Sequence, residues 1–503
     1  MKNLQIDEKL IALWGLKINN FKLQELSKHF QLSEKQIKRI LKKWEEQGFI
    51  TYKPGSGRGN ESSIKWLINL ENILIAQMKQ SFSLRDFRLL HLLPSNGFSN
   101  PFYSQVSNLV TTNLFGSKSV SEEILTFPIF SSKLELHPQR FNDAESGFVI
   151  GHVYSRLIKF DENNQFTGDL VHHWLVSDPN VFQFYLRKSL KWHDGTTVEL
   201  DEIVKCLLIG FNLEKLKEFK PNLISISKLN NSIIEIQYLG EEEELLYVLA
   251  RIEMSIFRDS EAGLMGCGPY TIEQLNVSDM MLQANDSYHL ERAIIDNVHL
   301  VQIPSHLNRK SLLNGKEMDY QVVSEYAGIF SAYIRTTELL KTNKAMMHLI
   351  REAFCYFSRT ISEIDHLKLP IYSSIISENA NTEVFLQKPI TIKYCVNKKV
   401  FVDYLVEVMH LFKVNVHVVH VPVTEAVTFD DLFIETDIVI KGDIVYPLRG
   451  YEKFSNKCEE SNVKFEVLEL YHSYREVIYP KLLKVSKNKI FGYPLLSECW
   501  VSI

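Results

Sequence analysis

Over the first seventy positions, apolar residues recur with a helical period and then switch to alternation. Ile6, Leu10, Leu13, Trp14 and Leu16 predict a helix over residues 6–18, and Leu23, Leu26 and Phe30 predict a shorter one over Leu23–Phe30. Ser33 followed by Gln36 forms a capping-box signature for a third helix running to Gln47, where Gly48 supplies a left-handed stop. Within it Ile37, Ile40, Leu41 and Trp44 fall on one face, so Lys35, Arg39 and Lys42 lie nearly opposite, flanked by Gln36, Lys38 and Lys43. Phe49–Lys53 and a stretch near Ser63–Leu67 read as two strands joined through a Pro-Gly turn, a wing with Gly55, Gly57 and Gly59 around Arg58.

A lysine face on one helix is ordinarily a solvated surface. Here helix, short turn, helix and wing occur together, and charge adds to them. Residues 1–70 hold 13 Lys and Arg against 7 Asp and Glu, a balance of +6, whereas the rest of the chain carries −11 of the total of −5. A basic head on an acidic body predicts that the head alone meets a polyanion. Lys35, Gln36, Lys38, Arg39, Lys42, Lys43 and Arg58 are therefore the candidate DNA contacts. Residues 71–120 read as a connector, with Glu71–Met78 helical and 94–104 a loop.

From about residue 121 short strands alternate with helices. Val181–Leu186 alternates as a strand, the His193-Asp194-Gly195 stretch makes a turn, and Leu200–Phe211 reads as a helix with an acidic first turn. Residues 389–396, 400–411 and 414–421 read as strand, helix and strand. The mixture is α/β.

A chain of 503 residues exceeds one compact domain. The amino terminus has no uninterrupted apolar run, and no stretch approaches the length of a membrane span, so no secretory signal and no membrane association are expected. Six scattered cysteines without CxxC spacing fit a reducing cytoplasm and exclude a zinc knuckle. His172 and His173 with His152 form the nearest approach to a metal cluster. Adjacent strand residues face opposite ways, so these read as structural histidines. No nucleophile–base pair has motif context. No cofactor, no metal and no enzymatic activity are expected.

Residues 136–203 carry a resemblance. Leu136, Pro138, Leu170, Trp174, Leu186, Arg187, His193, Asp194 and Gly195 stand where family-5 extracytoplasmic solute-binding proteins have their leading motifs, and the GCGPY of 266–270 is similar to that family's Gly-Thr-Gly-Pro-Tyr. Joined to the winged head, the whole chain resembles SgrR-like transcriptional regulators, with Asn60 and Glu61 replacing two basic residues of that family's wing.

The resemblance implies a multidomain protein: an α-rich winged helix-turn-helix head over 1–70, a connector over 71–120, and a two-lobed α/β periplasmic-binding-protein-like body (class II, family 5) over 121–503. Lobe I is expected over about 121–270 with a return over about 455–503, and lobe II over about 271–454. In peptide-binding members a Gly-Trp pair leads to an Asp that holds the peptide amino group. The matching positions here are Gly442, Asp443 and Tyr446, so the expected carboxylate is missing, and Asp443 and Tyr446 are the candidate ligand contacts. The resemblance also implies an association with sugar-phosphate stress, although no phosphate site is legible.

The expected function is a cytoplasmic, ligand-responsive regulator that binds double-stranded DNA and a small molecule: a sugar phosphate, another solute or a peptide. The alternative is a solute-binding or transport accessory protein whose head mediates protein contacts. A homodimer is compatible with either.

Overall fold

The computed structural model describes residues 6–55, 60–116, 119–121, 124–130, 134–141, 143–163, 165–216, 219–260, 263–304, 307, 320–335, 344–365, 389–395, 399–421, 432, 434–443, 465–487 and 489–502. The head is built from α1 (Glu8–Gly15), β1 (Asn20–Phe21), α2 (Leu23–Phe30), α3 (Glu34–Glu46), β2 (Ile50–Lys53) and β3 (Ser62–Trp66), with the three strands in the order β1-β3-β2. Local chemistry sets these bounds. Asp7 caps α1 by accepting from the Leu10 N–H at 2.9 Å. Ser33 and Gln36 form the expected capping box on α3, and Gly48 at φ 80° ends that helix.

The stretch read as a connector is structured and shares the head's core. It holds α4 (Leu70–Ser83) and α5 (Asn100–Val110). Leu74, Met78 and Phe82 of α4 and Phe102, Val106 and Val110 of α5 are buried in one cluster with Leu13, Ile37, Leu41 and Trp44 of the head. Pro101, within the stretch expected as a loop, sits in the first turn of α5, where proline has no partner to lose, and Ser99 caps the helix by accepting from the Phe102 N–H.

The body has two cores. The first includes a four-stranded sheet in the order Tyr270–Leu275, Asp279–Ala284, Asn297–Gln302, Ile124–Ile129, of which the last two strands are parallel. Beside it lies an antiparallel sheet of Val171–Asp178, Val181–Leu186, Ile233–Tyr238 and Leu223–Asn230. The second core lies on a five-stranded sheet in the order Val416–His420, Ile390–Cys395, Ile438–Asp443, Tyr320–Arg335, Phe465–Pro480, against helices Lys344–Asp365 and Lys399–Leu411.

One expectation about the lobes is corrected. Residues 271–302 are expected in lobe II, but their strands pair with Ile124–Ile129, and Tyr270, Leu282, Val298 and Leu300 are buried in the first core. The second core begins with the later part of Tyr320–Arg335. After strand Phe465–Pro480 the chain does return to the first core, through Leu483, Ile490, Tyr493 and Leu496.

His152 belongs to that core. Its Nδ1–H donates to the Phe148 carbonyl at 2.7 Å, and its Nε2 accepts from the Leu496 N–H at 2.8 Å, so the fold requires the neutral ring. Desolvation lowers its pKa to about 4. Between pH 6.5 and 4 the unfolded chain therefore takes a proton that the folded chain refuses. Stability present above pH 6.5 should fall on acidification by about 1.4 kcal/mol per unit for each such group. His193, also lowered to about 4 chiefly by burial, adds to this slope. Urea midpoints at pH 7.5 and 5 should differ accordingly, and His152→Gln should flatten the dependence by the contribution of one proton.

Candidate nucleic-acid interface

The head presents one face of α3 to solvent and buries the other. Ile37, Leu41 and Trp44 are each 2% exposed or less, and Ile40 packs at their margin. Lys35, Lys38, Arg39 and Lys42 are exposed on the opposite side at spacings of three and four, a continuous stripe of four cations. Among the described residues none of the four is in an ion pair. Side chains held on a rigid, anchored helix with their charges unpaired can meet phosphates or base edges without first breaking internal contacts.

Several contacts fix the helix that carries them. Asp7 Oδ2 accepts from the Trp44 indole N–H at 3.2 Å, tying α1 to α3. Glu45 Oε1 accepts from the Tyr52 N–H at 2.8 Å, tying the end of α3 to the wing. Trp14 and Trp66 meet edge to face with centroids 4.7 Å apart, tying α1 to β3. Between α2 and α3 the chain turns through Gln31 in the left-handed region at φ 53°, and Leu32 N–H donates back to the Ser27 carbonyl at 3.0 Å.

Two other candidates have internal partners. Gln36 Oε1 accepts from the Ser33 N–H at 2.9 Å and from its hydroxyl at 2.8 Å, so this carboxamide is drawn to the helix start. Lys43 Nζ lies 4.0 Å from Asp7 Oδ2, on the flank facing α1. Arg58, with Gly57 and Gly59, lies outside the described residues.

Gly55 is described, and its need for glycine is internal. A Cβ there would lie 2.5 Å from the Asn60 carbonyl oxygen, so the residue lets the two wing strands converge. The wing also holds two cations that the sequence reading passed over. Thr51 pairs with Lys65 and Lys53 with Ser63, so Lys53 and Lys65 share the face opposite buried Tyr52 and Ile64, and both lysines are exposed. Strand alternation from buried Ile64 was the signal that could have found them.

In the body, Asp443 ends the strand Ile438–Asp443 and its backbone pairs with Ile329, while Tyr446 lies outside the described residues. His172 and His173 are exposed on a strand at the edge of its sheet. No group of three His, Cys, Asp or Glu among the described residues is placed to hold a metal ion, and no helix among them is long and apolar enough to cross a membrane.

Comparison with known proteins agrees with this architecture. Residues 3–92 match the family described as "Sugar transport-related sRNA regulator N-term". Residues 165–344 match "Bacterial extracellular solute-binding proteins, family 5 Middle". The HTH-type transcriptional regulator SgrR of Pectobacterium atrosepticum is 23% identical over 318 residues, covering 60% of this chain and 55% of that protein. The uncharacterized protein YbaE of Escherichia coli K12 is 24% identical over 282 residues, covering 55% of this chain and 48% of that protein. The chain spans about half the length of the curated relatives it matches. Among solved structures, NikZ from Campylobacter jejuni, in complex with Ni(L-His), aligns with TM-score 0.54 and 18% identity over 76% of this chain and 100% of its own. The murein tripeptide binding protein MppA of Escherichia coli aligns with TM-score 0.56 and 12% identity over 76% and 99%. At such identities these structures bear on the fold alone.

Proposed function

We propose that this SgrR-like chain, which joins an SgrR amino-terminal domain to a family-5 solute-binding-like body, is a cytoplasmic DNA-binding transcription regulator whose body senses a small molecule. The observation that carries the reading is the stripe Lys35, Lys38, Arg39 and Lys42, exposed opposite the buried stripe of Ile37, Leu41 and Trp44. These four residues enter a groove or track its phosphates, Gln36 and Lys43 lie at the margins of the contact, and the wing adds Lys53, Lys65 and Arg58. The body's contribution is regulatory. A surface with an excess of acidic residues repels phosphate and does not by itself favour DNA.

The ligand is proposed to be a sugar phosphate or another small molecule held by the body, with Asp443 and Tyr446 as the candidate contacts that the family resemblance suggests. In the first lobe the Lys215 ammonium donates to the Phe141 carbonyl and lies 4.6 Å from the centroid of the Phe141 ring, and its burial there lowers its pKa. Glu253 opposes this shift, while the charges of Arg251 and of Lys441, which comes from the second lobe, add to it. A small molecule that binds the closed arrangement of the lobes more tightly than the open one would shift the body toward closure. Tyr446 stands where peptide-binding members carry the Asp that holds the peptide amino group, which favours a sugar phosphate over a peptide.

Two measurements on the full chain test the reading. The first is a gel shift on a duplex from the chain's own upstream region at low and moderate salt, with specific and salt-sensitive retention expected. The second is thermal stabilisation by glucose 6-phosphate, compared with inorganic phosphate and a tripeptide. Absence of retention at low salt would overturn the DNA assignment. Stabilisation by the tripeptide alone would overturn the preference for a sugar phosphate. Stabilisation by any of these without retention would favour the transport-accessory alternative.

A further inference from the structure

Strands Tyr320–Arg335 and Phe465–Pro480 form an antiparallel ribbon, each 16 residues long. At about 3.3 Å per residue such a strand reaches roughly 50 Å. The ribbon is embedded in different cores along its length. Near one end Ile478 is buried in the core of the head, and Tyr320 packs against that core. Its neighbours Val477 and Tyr479 turn the other way into the first core of the body, as strand alternation requires, and Val323 packs there too. Toward the other end Ala332, Ile334 and Leu470 are buried in the second core. Among the described residues this ribbon is the element that contributes to all three.

Its pairing is interrupted between the ends. The register passes from Tyr326↔Tyr474 to Gly328↔Ser473, and from Phe330↔Tyr471 to Ser331↔Glu469, leaving Ala327 and Leu470 without cross-strand partners. Such bulges bend a strand and increase its local twist. Among the described residues, further contacts between head and body land on the first lobe. Arg85 donates to the Thr126 hydroxyl, His91 Nε2 bonds the Gln302 carbonyl at 2.9 Å, and the rings of Phe87 and His299 lie 5.8 Å apart.

We propose that this ribbon is the mechanical link between the DNA-binding head and the second lobe, flexing at its two bulges and acting on the head through Ile478 and Tyr320. The proposal rests on the DNA-binding reading of α3 and adds the route of coupling. The side contacts hold the head on the first lobe, so movement of the second lobe reaches the head along the ribbon. Close-packed interiors resist displacement, so a change in ribbon twist shifts Ile478 and its neighbours rather than being absorbed. Coupling of this kind is reciprocal: DNA on the head alters the ribbon as much as closure of the lobes alters the head.

The test is amide hydrogen exchange of the full chain with and without a duplex from its own upstream region at low salt. On duplex binding, amides of residues 324–331 and 469–476 should change their exchange rates by about fivefold or more. Ile478→Ala should remove that response while duplex affinity is kept, and Ile478→Val, which retains most of the buried side chain, should keep it. A duplex that binds and leaves these amides unchanged would overturn the link and spare the DNA reading. Persistence of the response in a folded Ile478→Ala chain would do the same. A duplex that does not bind would overturn both.

Discussion

Replacing Trp44 with alanine should destabilise the head by about 3–5 kcal/mol, the usual cost of deleting a large buried aromatic. Trp44 is 2% exposed and closes the apolar stripe of α3. Its indole N–H donates to Asp7, whose other oxygen caps α1, so the substitution also strips a partner from the carboxylate that joins the two helices. Hydrogen exchange of the full chain should show residues 8–66, and the helices α4 and α5 that share their core, losing protection while the first core of the body keeps its own. DNA binding would fall only because the folded head becomes rarer. Equal protection of α1 and α3 in the variant and the parent would contradict this packing.

The second large effect belongs to the opposite face. Changing Lys35, Lys38, Arg39 and Lys42 together to alanine should abolish duplex retention at moderate salt with little loss of stability, because all four are exposed and none is in an ion pair among the described residues. A cation that reads a base edge should cost about 1–3 kcal/mol when removed. Each one lost from a phosphate should flatten the slope of log affinity against log salt by about 0.9. Paired with Trp44→Ala, this variant separates surface from scaffold. One loses binding with the fold kept, the other loses the fold. Unchanged affinity and slope in the fourfold variant would place the DNA contact elsewhere.

How much is legible in the sequence follows from how far apart the interacting residues are in the chain. Helix α2 occupies the expected Leu23–Phe30 and α3 ends one residue short of the expected Gln47, because period, capping box and stop glycine all act within a turn or two. The cationic stripe is legible for the same reason, since burial of Ile37, Leu41 and Trp44 dictates what faces outward. The match of residues 3–92 and 165–344 to their two families agrees with the resemblance read from the motifs. Of the stretch 94–104 expected as a loop, residues 94–99 have no regular structure, whereas residues from Asn100 on belong to α5, with Pro101 in its first turn.

By itself, then, the sequence determined helices α1 to α3 and the strand pair β2 and β3 of the head, the polarity of α3, and the pairing of a basic winged head with an acidic α/β body, while the short strand β1 went unread. Tertiary structure decided which elements share a core. Strand Asn297–Gln302 lies beside Ile124–Ile129, about 170 residues earlier, and so joins the first lobe. Helices α4 and α5 close the core of the head, which a reading of residues 71–120 as a connector does not anticipate. Alternation along Val477, Ile478 and Tyr479 announces a strand with two apolar faces. Only packing assigns one face to the head and the other to the body, because strand periodicity records that a side chain is buried and carries nothing about which distant segment buries it.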